Sequence, residues 1–285
     1  MAFKGILIPI GGNEDKGGEL KESYTMDFIE EGILSRVVKE SGGLDARILI
    51  VTTASQIPLE VGANYSEAFA RLNCTNVEIL DIRVSADAED PVTIQMVQEA
   101  ACVMFSGGDQ SRIADIIGNT TMHRILKHRF QNEAIVIAGT SAGAMAMSSE
   151  MICGGSSTEA LNKGSVKMRE GMKFIPGLII DSHFIKRGRF GRLTEAVAHH
   201  PHLLGVGLAE DTGMVIKNCD QFTVIGSGMV IIFDPSSLVH NNVEILPEGT
   251  PLTMANLRVH VLANGDRFSI DERAIQVLPV EADFE

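Results

Sequence analysis

The stretch that constrains this chain most is Ala134-Ile-Val-Ile-Ala-Gly-Thr-Ser-Ala-Gly-Ala-Met145, in which an apolar run leads directly into small residues. This pattern is typical of a buried parallel strand that turns sharply into a helix. Gly139 and Gly143 flank Ser141 in a G-x-S-x-G pattern. In a nucleophile elbow the serine sits on a strained turn, and strand and helix approach so closely that glycine is needed on either side. We therefore predict that Ser141 is a nucleophile; the alternative is an ordinary Gly-rich turn.

The turn also predicts where negative charge would be stabilised during acyl transfer. The N–H of Ala142 lies at the start of the predicted helix, where a developing oxyanion is favoured. The segment Phe105-Ser-Gly-Gly-Asp-Gln110 ends a neighbouring predicted strand. Because glycine lets the backbone approach a ligand closely, we expect Gly107 or Gly108 to supply a second N–H donor.

Strand and helix patterns alternate along the first half of the chain, which predicts a doubly wound, mostly parallel sheet with helices on both faces. The predicted strands are residues 5–10, 46–51, 77–82 and 102–105, and the predicted helices are residues 25–40, 61–72, 92–100 and a segment from Ser111. After the elbow we expect an irregular loop at 153–173, a strand at 177–181, a helix at 189–199 and a mostly β tail from Leu204. Asn264-Gly265-Asp266 is typical of a hairpin turn. We predict one domain over residues 1–285, with an antiparallel extension of the sheet.

Three of the predicted strands end in Gly-rich loops, at Gly11-Gly12, at Gly107-Gly108 and at the elbow. Ligands of open α/β sheets bind beyond the carboxyl ends of the strands, so these loops should meet around Ser141. None matches the dinucleotide-binding or P-loop pattern, and we expect no cofactor.

The charge and cysteine content restrict the partners and the compartment. The net charge of −13 argues against binding to nucleic acid or to an anionic membrane surface. The four cysteines have no C-x-x-C spacing, and His199, His200 and His202 have no matching carboxylates, so we expect no metal site. The chain has no apolar run of about 18 residues and no signal-peptide core, which favours a cytoplasmic protein with no membrane segment.

A nucleophilic serine needs a base and a carboxylate that orients it. His183 follows the predicted strand at 177–181, at the edge of the sheet where active sites lie. Glu159 and Glu210 are both possible carboxylates, and position alone does not decide between them. Beyond His183, four basic residues lie within seven positions, either as a solvated helix face or as an anion clamp: Lys186, Arg187, Arg189 and Arg192.

Five motifs in this order resemble the cyanophycinases, within the peptidase E-like serine peptidases of family S51, and the resemblance covers nearly the whole chain. They are Ile10-Gly-Gly-Asn-Glu-Asp-Lys16, Phe105-Ser-Gly-Gly-Asp-Gln110, Gly139-Thr-Ser-Ala-Gly-Ala144, Asp181-Ser-His-Phe184 with Arg187-Gly-Arg-Phe-Gly-Arg-Leu193, and Leu204-Gly-Val-Gly-Leu-Ala-Glu-Asp-Thr212.

The resemblance implies a flavodoxin-like, class I glutamine amidotransferase-like fold and a homodimer. It implies an exopeptidase that cuts cyanophycin, a poly-aspartate with arginine on each side-chain carboxylate, into β-Asp-Arg dipeptides. By the motifs, the nucleophile is Ser141, the base is His183 and the orienting carboxylate is Glu159. The implied substrate-binding residues are Gln110, Asp181, Ser182, Arg187, Arg189 and Arg192. Ser182 departs from the Gln that the family often has there. The alternatives are a peptidase E-type dipeptidase for short Asp-containing peptides and a non-catalytic binding protein on the same scaffold.

Overall fold

A nine-stranded sheet forms the centre of the protein, in a computed structural model that describes residues 3–18, 25–155 and 160–278. In chain order the strands are β1 (Ile6–Ile10), β2 (Ile48–Val51), β3 (Val77–Leu80), β4 (Cys102–Phe105), β5 (Val136–Thr140), β6 (Glu150–Gly155), β7 (Val166–Glu170), β8 (Leu178–Asp181), β9 (Leu204–Leu208), β10 (Thr212–Lys217), β11 (Gln221–Gly226), β12 (Val230–Asp234), β13 (His240–Asn241), β14 (Met254–Ala255), β15 (Arg258–Leu262), β16 (Arg267–Ser269) and β17 (Ala274–Gln276). The helices are α1 (Ile33–Glu40), α2 (Pro58–Arg71), α3 (Pro91–Glu99), α4 (Gln110–Ile117), α5 (Thr121–Asn132), α6 (Ala142–Met145) and α7 (Phe190–His199).

The first five strands are parallel and lie in the order β1-β5-β4-β2-β3. Successive residues of each strand point to opposite faces of the sheet, and both faces are apolar. Leu49 belongs to one hydrophobic cluster, with side chains from α3, α4 and α5, while Ile50 belongs to the other, with side chains from α1 and α2. The predicted doubly wound α/β fold with helices on both faces is confirmed.

The antiparallel extension is also present, because β10, β11, β16 and β17 continue the sheet beyond β1. The sequence did not predict a second sheet, of order β15-β12-β9-β8. The predicted hairpin at residues 264–266 is wrong. The turn exists, but β15 pairs with β12 in the smaller sheet, whereas β16 pairs with β11 in the larger one. A turn pattern reports only local backbone chemistry, and here the turn connects two sheets.

Two other segments differ from their sequence patterns. The predicted helix at 25–40 begins only at Ile33, because the side chain of Asp27 accepts the backbone N–H groups of Ile29 and Glu30, both at 2.9 Å, and this favours a turn. Part of the predicted loop at 153–173 is the hairpin of β6 and β7; residues 156–159 lie outside the described residues.

The topology places the carboxyl ends of β1, β5 and β4 side by side, since these strands are neighbours in the sheet. The loops that follow them are the Gly11-Gly12 loop, the elbow and the Gly107-Gly108 loop. As expected, these loops meet at one edge of the sheet and border one cleft. Among the described residues, no helix has both the length and the apolar character needed to cross a membrane.

Candidate active site

Ser141 occupies the strained turn between β5 and α6. Its backbone has φ 51° and ψ −107°, in a region that costs energy for any residue other than glycine. Its N–H donates to the carbonyl of Ile10 at 2.9 Å, which holds the turn against β1. A Cβ on Gly139 would lie 2.6 Å from the carbonyl carbon of Gly143, so the close approach of strand and helix excludes a larger residue. This is the geometry of a nucleophile elbow.

The structure brings Ser141, His183 and Glu210 into one hydrogen-bonded series. The Oγ of Ser141 lies 3.0 Å from Nε2 of His183, and Nδ1 of the same ring lies 2.8 Å from Oε1 of Glu210. An ionised Glu210 accepts the Nδ1 proton and leaves Nε2 free to accept the proton of Ser141. The arrangement therefore has the parts of a Ser-His-carboxylate triad.

The surroundings favour the protonation states that such a triad needs. Burial lowers the pKa of His183, and the charges of Arg187 and Arg189 lower it further, which outweighs the opposite effect of Glu210. Burial raises the pKa of Glu210, but hydrogen bonds from His183 and Lys186 outweigh burial and the net shift is downward. His183 is therefore neutral and Glu210 ionised at neutral pH, as general base catalysis requires.

Sequence reasoning preferred Glu159 as the orienting carboxylate, with Glu210 as the alternative. Glu159 lies outside the described residues, whereas Glu210 contacts His183 directly. The second carboxylate oxygen of Glu210 accepts from Asn13 Nδ2 at 3.3 Å and from Lys186 Nζ at 3.1 Å. We therefore infer that Glu210 is the carboxylate that orients the imidazole.

Backbone carbonyls at the end of β1 and in the loop after it bind all three segments that carry the site. The carbonyls of Ile10, Gly11 and Gly12 accept, in that order, the backbone N–H groups of Ser141 at 2.9 Å, His183 at 2.8 Å and Asp211 at 2.9 Å. We call these three carbonyls the β1 bracket. A Cβ on Gly12 would lie 2.5 Å from Nε2 of His183, so only glycine leaves room for the imidazole. The glycines that the sequence indicated as a ligand loop thus position the candidate base.

The predicted oxyanion donors lie beside Ser141. Ala142 is the first residue of α6, and Gly107 and Gly108 border the same cleft. A Cβ built on Gly107 would stand 3.9 Å from Ser141 Oγ, which measures how close this backbone comes to the nucleophile. Gly108 has φ 143°, and a Cβ there would overlap the carbonyl of Ala54. The position of these backbones is compatible with the oxyanion role.

A cleft of about 390 Å³ opens over Ser141 and His183. Its other lining residues come from the β1 loop, α2, the Gly107-Gly108 loop, the end of β5 and the segment after His183: Gly12, Asn13, Glu14, Lys16, Val61, Asn64, Tyr65, Gly107, Gly108, Thr140 and Arg187. Lys16 and Tyr65 were not identified from the sequence as site residues. The signal for Lys16 was its place in the Gly-rich loop after β1, while nothing local marks Tyr65.

Most of the predicted substrate-binding residues do not line this cleft. Asp181 is fully buried; Arg192 Nε donates to its Oδ2 at 2.7 Å and Arg189 Nη1 to its Oδ1 at 3.1 Å. Ser182 is buried as well, with its hydroxyl against Met145 Sδ at 3.3 Å. Arg189 and Arg192 thus pair with the carboxylate of Asp181, and the anion clamp stays a prediction.

Two predicted residues remain. Gln110 is at the start of α4, and its side-chain amide donates to the carbonyl of Ile152 at 2.8 Å, outside the cleft lining. Arg187 is exposed and lines the cleft. Within the described part of the chain, no group of three or more His, Cys, Asp or Glu side chains is placed to hold a metal ion.

With this geometry established, comparison with known proteins gives the family. The model of peptidase family S51 matches residues 18–225. The chain belongs to peptidase family S51. This S51 peptidase is 37% identical over 277 residues to a cyanophycinase of Trichormus variabilis, covering 96% of this chain and 89% of that protein. It is 35% identical over 269 residues to a cyanophycinase of Geminocystis herdmanii, covering 94% of each.

The fold of this S51 peptidase is also found among solved structures. A peptidase from an acI-B1 Actinobacterium superposes with a TM-score of 0.62 at 21% identity, over 92% of this chain and 98% of that one. The family resemblance inferred from the motifs is therefore confirmed, and with it the serine-type peptidase class.

Proposed function

We propose that this S51 peptidase is a serine exopeptidase that hydrolyses cyanophycin to β-Asp-Arg dipeptides, using Ser141, His183 and Glu210. The observation that carries the proposal is the hydrogen-bonded series from Ser141 Oγ through His183 to Glu210, at the base of an open cleft. The substrate comes from the relatives, which are named cyanophycinases and align over nearly the whole chain. We also propose that residues 1–285 form one catalytic domain in the cytoplasm, and that the protein acts as a homodimer, as the resemblance implies.

The reaction follows from the contacts. Ser141 Oγ attacks the scissile carbonyl carbon while His183 Nε2 takes the hydroxyl proton, and Glu210 stabilises the imidazolium that forms. The oxyanion lies against the N–H groups of Ala142 and of Gly107 or Gly108. The tetrahedral intermediate collapses, His183 gives its proton to the leaving amine, and an ester to Ser141 remains. Water, deprotonated by His183, then hydrolyses the ester and restores the hydroxyl.

The charge of the cleft suits this substrate. Each unit of the polymer carries a free carboxylate on its attached arginine. Arg187 lines the cleft beside His183 and is exposed, so its guanidinium is placed to receive a carboxylate in two-point geometry. The formal net charge of the chain is −13, so most of its surface repels anions. A local cation in the cleft therefore directs a substrate carboxylate to the active site.

Incubation with purified cyanophycin tests the proposal, with Ser141→Ala as the matched control and mass spectrometry of the products. We expect β-Asp-Arg to accumulate only with the wild-type protein. A ladder of mixed-length fragments would indicate an endopeptidase. Activity on short Asp-containing peptides with none on the polymer would indicate a dipeptidase, and polymer binding without turnover would indicate a binding protein. Light scattering of the pure protein tests the homodimer.

A further inference from the structure

Lys16 places a second positive charge in the cleft, and the structure holds that charge in a defined position. Its ammonium lies 3.0 Å from Glu14 Oε1, 3.4 Å from the backbone carbonyl of Glu14 and 4.7 Å from the centre of the Tyr65 ring. The Lys16 side chain is 31% exposed and that of Glu14 is 1% exposed. The cation therefore faces the cleft while its counter-ion lies beneath it.

Glu14 is itself fixed beside the nucleophile. Thr140, the residue before Ser141, donates its hydroxyl to Glu14 Oε2 at 2.6 Å, and the Tyr65 hydroxyl donates to Oε1. Burial raises the pKa of Glu14, but the charge of Lys16 and the two hydroxyl donors outweigh it and bring the pKa to about 2. Glu14 is thus a permanent anion that ties Lys16 to the residue next to the elbow.

The hydrogen-bonding capacity of Lys16 is not used up by these contacts. An ammonium has three N–H donors, and among the described residues two of them are taken by Glu14. Glu14 is hardly accessible to a ligand, since its side chain is 1% exposed and its oxygens already accept from Lys16, Tyr65 and Thr140. Lys16 and Arg187 are therefore the lysine and arginine side chains that line the described cleft. They reach it from different segments of the chain.

We propose that Lys16 is a specificity-determining residue that binds a carboxylate of the substrate, from a different segment of the chain than Arg187. The inference rests on the proposed function, in which the substrate presents a carboxylate on every arginine. A pre-positioned lysine loses little side-chain entropy on binding, so its contact contributes more than that of a mobile surface lysine. Two separated cations would also distinguish a unit with a carboxylate from one without.

The test compares two substrates and three variants. The substrates are cyanophycin and the same polymer with its arginine carboxylates converted to amides. The variants are Lys16→Met, which removes the ammonium, Lys16→Arg, which keeps a cation, and Lys173→Met, which removes an ammonium from the loop after β7, outside the cleft lining. For each variant we measure kcat/KM on both polymers and take the ratio of the value for the carboxylate polymer to the value for the amide polymer. We expect Lys16→Met to lower this ratio about tenfold or more, because a charged hydrogen bond is lost for one substrate only. Lys173→Met should leave it unchanged, and Lys16→Arg should restore most of it.

An unchanged ratio in Lys16→Met, or an equal change in Lys173→Met, would overturn the inference and leave Lys16 as a structural partner of Glu14. Binding of β-Asp-Arg and its amide to Ser141→Ala, with and without Lys16→Met, is measured by calorimetry. If the wild-type protein does not hydrolyse cyanophycin, the proposed function fails. The inference about Lys16 is decided separately, by whether Ser141→Ala binds β-Asp-Arg more tightly than its amide and loses that preference when Lys16→Met is added. Equal binding of the two dipeptides to Ser141→Ala would overturn it.

Discussion

The carboxylate of Glu210 lies 2.8 Å from Nδ1 of His183, on the side of the ring away from Ser141. This contact fixes which nitrogen of the imidazole carries the proton, because an ionised carboxylate can only accept. It also joins the segments that follow two consecutive, paired strands, β8 and β9. The reactivity of Ser141 therefore depends on the pairing of β8 with β9.

Replacing Ser141 with alanine should lower kcat on the polymer by about 10⁴-fold or more and leave the fold intact, because the nucleophile is removed without filling space. His183→Ala should be about as damaging, and the double variant should be no worse, since base and nucleophile act as a unit. Steady-state kinetics with circular dichroism of each variant checks this. Additive losses in the double variant would contradict the assignment.

Glu210→Gln should lower kcat by about 10³-fold or more, because a neutral amide cannot stabilise the imidazolium and can favour the wrong tautomer. Glu159→Gln is the matched control and should stay within about tenfold of wild type. The comparison separates the two carboxylates by kcat in parallel assays. A dead Glu159→Gln beside an active Glu210→Gln would restore the assignment made from the motifs.

The pH dependence of the activity should show that His183 still acts as a base at pH values below the ordinary pKa of histidine. Burial and the neighbouring arginines lower the pKa of His183 from about 6.5. The decrease of kcat/KM on the acid side should therefore occur below pH 6.5, because activity is lost only as the pH drops through the lowered pKa and His183 becomes protonated. Arg187→Gln removes one of these charges and should move the acid limb to higher pH. Lys173→Gln, a substitution in the loop after β7, is the control. A shift to lower pH in Arg187→Gln would be inconsistent with the geometry.

Asp181→Asn should destabilise the fold, because it leaves Arg192 and Arg189 buried without their counter-ion. Removal of one partner from a buried pair typically costs about 3–5 kcal/mol. The exposed pair of Lys173 and Glu170, at 2.6 Å, is the matched control, and Glu170→Gln should cost less than about 1 kcal/mol. Urea denaturation measures both free energies of unfolding. Equal stability of the two variants would mean that Asp181 is not a structural anion.

The sequence predicts what local chemistry determines. The apolar strands and the glycines at 139 and 143 mark the parallel sheet and the elbow, because each pattern lies within one short segment. The partner of His183 and the contacts of Arg192 depend on which strands become neighbours, and residue spacing carries no such information. The second sheet was missed for the same reason, since β15 resembles any alternating strand until its pairing with β12 is known.

The β1 bracket has a consequence for when the enzyme becomes active during synthesis. Ser141 leaves the ribosome before Glu210. The side chain of Glu210 also contacts Asn13, which lies 197 residues earlier in the chain. The carbonyl of Gly12 can accept the N–H of Asp211 only after β10 has been synthesised and has paired with β1. Contacts so distant in the chain form late in folding. A nascent or prematurely terminated chain therefore carries the nucleophile without its activating partners.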